Sequence, residues 1–528
     1  MLKGLSVEVS ISELRPKNVT AQNLSDLSEL IGGTCFGQAQ ITGVSVDSND
    51  IRPGDLFVAV PGQKTHGAAF AHTAVEKGAE AVATDEAGAK RVRRDCPDIP
   101  LIVVDDPRHH EGTLAAAVYG DPSAKMRVVG ITGTNGKTTT TYLLHWMLQA
   151  GGEKAVLQGT GVQRVGDEHI YTSRTTSEAP VLQALMATGL ERGMQAAALE
   201  ISSHAVSLDR IRGVRFDAVG FTNLQHDHLD YYGTMEAYFE AKAGLFSPEF
   251  AKRGVVCVDD EWGQRLAKEA AIPVVTVSTN GTPAQVQATG MRPDPDTGAT
   301  TFTLRLEDSE VTLTCPLPGA VNVQNACVAA LVAREAGLPL DVIVDALENA
   351  PQVSGRMETI PSQTPEEDPL VIVDFAHTAE ALESVLGTAR ALTRGKLHIV
   401  FGTDGDRDAS KRADVGRAAA NGADILWVTD ENPRTEAPEI MRRQLFEGIS
   451  QVRADLSDVT EITTCRRDAI RTAIMAAGPD DTVIITGKGG EEVQEVYYCM
   501  HPFKDQEVAR ECLAGRAYRR ALTQKLDS

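Results

Sequence analysis

The segment GITGTNGKTTTT, positions 130–141, constrains this chain more than any other feature. A short apolar, β-rich run, MRVVGIT, leads into it, and a helical pattern, TTTTYLLHWMLQAGG, leads out. A glycine-rich turn between a strand and a helix aims backbone N–H groups inward, and the helix dipole adds positive potential. Such a loop cradles phosphates. Lys137 is placed to reach the terminal phosphates of a nucleotide and Thr138 to offer its hydroxyl to Mg²⁺. Gly133, Thr134, Asn135, Gly136 and Thr139 complete the loop. One position departs from the usual pattern: Ile131 stands where a first glycine is expected. The rival reading, a plain turn with a surface lysine, does not account for the strand–loop–helix context.

A parallel sheet with crossover helices should surround this loop. AAALEIS, AVGFTN, GVVCVDD and PVVTVST read as strands separated by helices, and LVIVDFA, LHIVFG, DILWVTD and TVIITGKGG repeat the alternation nearer the C-terminus. Before the loop, ITGVSVDS and DLFVAV read as strands and residues 69–82 as one helix feeding PLIVVDD, after which positions 105–112 break the pattern. A chain of 528 residues holds about three domains at ~150 residues each. The expected boundaries give domains at 1–108, 109–353 and 354–528, with hinges near 108 and 355. A formal charge of -22 without a long basic run argues against nucleic acid. No run approaches the ~20 apolar residues of a membrane span, and the N-terminus lacks a signal-peptide core. Eight scattered cysteines without a CxxC pair fit free thiols in the cytoplasm.

Three further groups carry chemistry. Glu200 ends the strand in ALEISSH, where α/β sheets place ligand groups and a carboxylate can bind Mg²⁺; a strand-end salt bridge is the bland alternative. Asp227, His228 and Asp230 cluster just past a second strand, in FTNLQHDHLDYYGT. A lone histidine is more often structural, but this one lies among acids. Lys242 follows on a helix among small residues, EAKAG, where a solvated lysine is the ordinary reading.

In order along nearly the whole chain, GTNGKTT, EISSH, TNLQHDHLDYYGT, YFEAKAGLF, GAVNVQNACVAA, SGRME, DFAHTAEAL and GDRD resemble the motifs of the Mur ligases, most closely the branch that builds a muramoyl tripeptide. The resemblance implies an α/β protein of three domains. A central P-loop parallel-sheet ATPase domain would be flanked by an N-terminal UDP-sugar-binding domain and a C-terminal Rossmann-like domain that takes the amino acid. It implies ATP and Mg²⁺, with Thr138, Glu200 and His228 around the metal and Lys242 carbamoylated. Asn325, Arg356, Asp374 and His377 resemble nucleotide contacts, with Phe375 replacing the usual tyrosine. Val46, Ser48, Gln63, Lys64, Thr65, Thr175, Thr176, Ser202 and Arg210 match the positions that hold a UDP-muramoyl-dipeptide, and Asn49 replaces a common arginine.

For the incoming amino acid, ENPR resembles a DNPR signature, with Glu431 for aspartate and Asn432, Pro433 and Arg434 retained. A guanidinium fork binds a carboxylate in bidentate fashion, so Arg434 favours diaminopimelate, which has a distal carboxylate, over lysine or ornithine. Arg407 would be a second contact. In GKGGE, Gly487 and Glu491 are retained and Gly490 replaces a histidine; Glu491 would take the distal ammonium. The implied reaction is ATP-dependent C–N bond formation through an acyl phosphate, in a cytoplasmic step of peptidoglycan precursor synthesis, by a monomer. A folylpolyglutamate-type ligase shares the ATP machinery, but the resemblance of such enzymes covers only the central and C-terminal parts. A nucleotide switch needs the loop but not Glu200, His228 and Lys242.

Overall fold

The computed structural model describes residues 15–526 except 63, 171, 173, 295, 296 and 308. The chain gathers into two compact units. The first holds residues up to 291 together with 302–314 and 321–350; the second holds 292–301, 315–320 and 351 onward.

The first unit contains two principal sheets. The smaller runs in the order Thr34–Phe36, Leu101–Val103, Ala79–Thr84, Asp55–Ala59, Gly43–Ser45, parallel except at Thr34–Phe36. Its four parallel strands are buried on both faces, whereas the edge strand Thr34–Phe36 is largely exposed. Leu56, Val58, Ala81 and Ala83 pack on Leu24, Leu27 and Leu114, while Phe57, Ala59 and Val82 pack on Ala71, Ala74, Ala89 and Val92 on the other side. Alternate residues of a strand point to opposite faces, and both faces here are covered by helices.

Two expectations change in this region. The helix read across 69–82 stops at Glu76. Gly78 takes φ +107°, which ends the helix, and Ala79–Thr84 is a strand. The helix that precedes Leu101–Val103 is Glu86–Asp95. The stretch 105–112 is not a break either. The Asp106 carboxylate accepts from the Arg108 and His109 amides, Pro107 occupies the first turn, and a helix runs Pro107–Val118. Residue 108 lies inside that helix. Leu114, Ala115 and Val118 join the smaller sheet's core, which also takes in Ala184 and Ala187 from the helix Ala179–Glu191.

The larger sheet has eleven strands, with Arg127–Thr132 flanked by Ala196–Glu200 on one side and Ala218–Phe221 on the other. It is parallel from Ala155–Gly159 through Val286–Pro293. Because the chain leaves Arg127–Thr132 in one direction and returns on its other side, the carboxyl ends of the three central strands frame a crevice. Ligands of open α/β sheets sit at such a point.

The second unit carries a six-stranded sheet in the order Glu358–Ile360, Leu370–Val373, Thr482–Ile485, Leu397–Phe401, Ile425–Val428, Val459–Glu461, parallel except at Glu358–Ile360. Ala379–Leu392, Arg412–Gly422 and Pro438–Val452 supply one core, and Arg466–Ala476 and Asp505–Leu526 the other. A hairpin of Val493–Val496 and Cys499–Pro502 follows the last parallel strand. Near the second expected hinge, Gly355 has φ +64° and its backbone lies against Gly489 and Gly490. Among the described residues, no helix is long and apolar enough to cross a membrane.

Candidate active site

The phosphate loop leaves the strand Arg127–Thr132 and enters the helix Lys137–Ala150. Gly136 sits at φ +85°, and a Cβ there would lie 2.1 Å from Asn325 Oδ1, so glycine is required. Neighbouring loops brace the turn. Thr134 N donates to Asn223 O, and Asn135 N donates to Asn223 Oδ1 at 2.9 Å. The Thr134 hydroxyl lies 3.2 Å from the Tyr238 hydroxyl. Lys137 Nζ donates to Thr134 O at 2.8 Å, folded back over the loop. Ile131, at the departing position, is a fully buried strand residue. Thr139 is buried in the first helical turn.

Glu200 is 1% exposed and gathers the site. Its Oε2 accepts from Thr138 Oγ1 at 3.1 Å and from Thr160 N at 3.0 Å, and its Oε1 accepts from Thr160 Oγ1 at 3.1 Å. The Thr160 hydroxyl is in turn 3.1 Å from the Thr175 hydroxyl. Thr176 Oγ1 donates to Glu200 O at 2.8 Å and accepts from Ser202 N at 3.0 Å. Arg210 Nη1 donates to Thr176 O at 3.3 Å. Thr138 of the phosphate loop and Thr175, Thr176, Ser202 and Arg210 thus join one hydrogen-bonded chain through Thr160 and the carboxylate and main-chain oxygen of Glu200.

Lys242 is 1% exposed, on the helix Met235–Ala243. Its Nζ donates to Gly133 O at 2.7 Å and lies 4.6 Å from the Tyr238 ring centre. Burial, reinforced by Lys137, holds its amine well below the usual lysine pKa, against the pull of Asp227 and Glu200. It is not a solvated lysine. His228 takes φ +53° ahead of the short helix Leu229–Tyr232, and its ring meets His204 edge-on at 5.0 Å. Desolvation, with His204, Lys137 and Lys242, pushes it down to about 4 despite Asp227, whose Oδ2 lies 3.4 Å from Nε2. Asp230 lies in that helix. A hydroxyl, a buried carboxylate and a neutral imidazole are hard to borderline donors that suit a divalent cation.

Beside Thr175 and Thr176, Glu178 collects three guanidiniums. It pairs with Arg174, with Arg210 at 3.3 Å and with Arg108 at 3.6 Å. Burial and their mutual repulsion lower the pKa values of Arg174 and Arg210. Asp47, between Val46 and Ser48, is close enough to Arg174 to offset part of this. Asn49, at the departing position, is held through its carbonyl by Lys77 Nζ at 3.0 Å. Lys64 and Thr65 are exposed after the strand Asp55–Ala59; Gln63 lies outside the described residues.

In the second unit, Asp374 is buried and accepts from Met357 N and Ala376 N, each at 2.7 Å. Phe375 is a platform: the Arg356 guanidinium lies 4.4 Å from its ring centre, and His377 meets its edge at 4.9 Å. The amino-acid residues also assemble. Lys488, fully buried, donates to Asn432 Oδ1, Glu491 Oε2 and Val493 O at 2.7–2.9 Å. Asn432 Nδ2 donates to Glu491 Oε2 at 3.0 Å. Glu431 is 3% exposed, its Oε2 has no hydrogen-bond partner, and a Cβ on Gly487 would lie 2.3 Å from that oxygen. Burial, then Asp404, holds the Glu431 carboxyl well above the usual range. Arg434 pairs with Asp404 and Glu495, each at 3.1 Å. Pro433 O lies against Gly405, and Arg407 is exposed on the same loop.

Thr160, Asn223, Tyr238, Glu178, Asp404, Lys488 and Glu495 are parts of these clusters that reading the sequence did not single out. Asn223 and Tyr238 lay inside quoted motifs. Thr160 and Glu495 carried no local signal, because only the tertiary fold delivers them.

Three family models match in order: "Mur ligase family, catalytic domain" over residues 40–119, "Mur ligase middle domain" over 131–333 and "Mur ligase, glutamate ligase domain" over 355–489. The chain is 42% identical over 501 residues to the UDP-N-acetylmuramoyl-L-alanyl-D-glutamate–2,6-diaminopimelate ligase of Streptomyces coelicolor, covering 94% of this chain and 98% of that protein. It is 40% identical over 514 residues to the UDP-N-acetylmuramyl-tripeptide synthetase of Leifsonia xyli subsp. xyli, covering 94% and 97%. A solved UDP-N-acetylmuramoyl-L-alanyl-D-glutamate–2,6-diaminopimelate ligase superposes with a TM-score of 0.64 at 29% identity, covering 97% of this chain and 100% of that one. The relatives span the N-terminal sheet as well as the ATP-binding and C-terminal parts, and on that footing the chain belongs to the Mur ligase family, with its three-domain α/β architecture and its ATP-dependent ligase chemistry.

Proposed function

We propose that the enzyme joins a diamino acid, meso-2,6-diaminopimelate, to UDP-N-acetylmuramoyl-L-alanyl-D-glutamate at the expense of ATP, in the cytoplasmic phase of peptidoglycan synthesis. The observation that carries this is the chain Thr138–Glu200–Thr160–Thr175, in which the phosphate loop bonds a buried carboxylate that Thr160 links to the peptide-side Thr175. A carboxylate is a poor electrophile in water, and ATP converts it to an acyl phosphate. The terminal carboxylate of the dipeptide attacks the γ-phosphorus, the bond to the β–γ bridging oxygen breaks and ADP leaves, while the loop amides and Lys137 offset the charge that develops on the phosphoryl oxygens. An amine of the diamino acid then attacks the acyl carbon, and phosphate leaves.

Thr138, Glu200 and His228 would hold Mg²⁺, which supplies charge neutralisation on the phosphates when bound. The low pKa of His228 keeps its imidazole neutral and able to ligate at physiological pH. The low pKa of Lys242 leaves a free amine, the form that adds to CO₂; the product carbamate is an anion beside the metal site, and one proton is released. Arg174 and Arg210 offer cations to the acid-rich peptide, and Arg434 offers a fork to the distal carboxylate of diaminopimelate.

Release of inorganic phosphate from ATP should require both the UDP-muramoyl-dipeptide and diaminopimelate. Equal turnover with either omitted, or a strict requirement for a folate, would sink this reading. Efficient use of lysine with none of diaminopimelate would overturn the substrate alone.

A further inference from the structure

Arg434 already carries two carboxylates from its own chain. Its Nη2 donates to Asp404 Oδ2 at 3.1 Å, its Nε to Glu495 Oε2 at 3.1 Å, and its Nη1 to Gly405 O at 3.0 Å. A third carboxylate on the same guanidinium would set three anions against one cation, so a ligand's acid group has to displace one of the residents.

The two residents are not equivalent. Asp404 lies in the loop that follows the strand Leu397–Phe401; its side chain is 24% exposed, but its other oxygen is enclosed without a partner. Glu495 projects from the hairpin, and its side chain is 27% exposed. The hairpin's main chain is held independently of that side chain. Arg434 N donates to Glu495 O, Tyr497 N donates to Arg434 O, and Glu495 N donates to Asn432 Oδ1 at 3.1 Å. Glu495 can therefore release the guanidinium into solvent without unfastening the strand that carries it.

Resting on the assignment of Arg434 to the distal carboxylate of the amino acid, the geometry points to Glu495 as a specificity-determining residue: a resident carboxylate that occupies the substrate's seat and must be exchanged for it. The exchange swaps one charge-assisted pair for another, so its net yield is small for an acid-bearing substrate. A diamino acid lacking the distal carboxylate leaves Glu495 in place.

The test compares wild type with Glu495→Gln and Glu495→Asp by steady-state kinetics. Glu495→Gln frees Arg434 from one competitor. The KM for diaminopimelate should fall about fivefold, near the upper limit for one partly exposed ion pair, with kcat and the KM values for ATP and the UDP-dipeptide unchanged. Glu495→Asp keeps the charge, withdraws it by one methylene and should shift the same KM in the same direction by less. A rise in that KM, no change, or a parallel shift in all three KM values would make Glu495 a structural support and overturn the inference. So would loss of the folded circular-dichroism spectrum in both variants. Wild-type enzyme that turns over only diamino acids without a distal carboxylate would instead overturn the substrate reading on which the inference rests.

Discussion

Glu111 shows what a single residue can conceal. It sits within the helix Pro107–Val118, is fully buried, and neither carboxylate oxygen has a hydrogen-bond partner. Burial pushes its pKa up to about 8, against Arg108 and Arg210. Below the unfolded value of 4.5 both states hold the proton; above it the unfolded chain gives the proton up while the folded chain keeps it. Stability from this group is complete at low pH and is lost as pH rises through about 8. Glu111→Gln removes the titration and keeps the shape. Its melting temperature should match wild type within about 1 °C at pH 4.5 and exceed it by about 3 °C or more at pH 8.5. Parallel melting curves across that range would show that Glu111 is not protonated in the fold. Lys242 is the complementary case, a buried amine whose lowered pKa suits its proposed carbamoylation.

At the scale of elements, the phosphate loop depends on two glycines with left-handed backbones. Gly133 has φ +147°, with Thr222 Oγ1 at 2.0 Å from a built Cβ, and Gly136 is closed against Asn325. Gly136→Ala must move either the loop or the Asn325 amide. ADP affinity, measured calorimetrically, should fall about tenfold or more, since backbone strain of this kind costs ~1–3 kcal/mol. Unchanged affinity would mean that the loop does not need the conformation described here. The hairpin of the second unit has the opposite character. Its two-residue turn, Tyr497-Tyr498, takes φ +47° and +63°, a geometry that favours Asn-Gly. No turn signal marks it in the sequence, and main-chain bonds to Arg434 hold it instead.

At the scale of the molecule, the two units have separate cores, one built around the larger sheet and the other around the C-terminal sheet. Differential scanning calorimetry should resolve two transitions. The UDP-muramoyl-dipeptide alone, at about 100 times its Kd, should stabilise the first unit by about 2.7 kcal/mol, and diaminopimelate alone should raise only the transition of the second. One transition that responds to both ligands would show that the units unfold together.

Short-range pattern was enough for much of this protein. The phosphate loop, the strand that ends at Glu200 and the helix of Lys242 follow from residue types at fixed spacing, because backbone conformation and strand-end placement are local properties; the ENPR turn is legible only through its resemblance to a family signature. The helix read across 69–82 failed where Gly78 let a buried strand begin, since an alanine-rich stretch fits either period until its neighbours are known. The meeting of Thr138 with Thr160 on one carboxylate, the gathering of Arg108, Arg174 and Arg210 on Glu178, and the occupation of Arg434 by Glu495 belong to the tertiary structure alone. Apart from Arg174–Glu178, only four positions apart, these contacts join residues tens of positions apart, and sequence patterns carry no record of which distant side chains a fold will bring within hydrogen-bond reach.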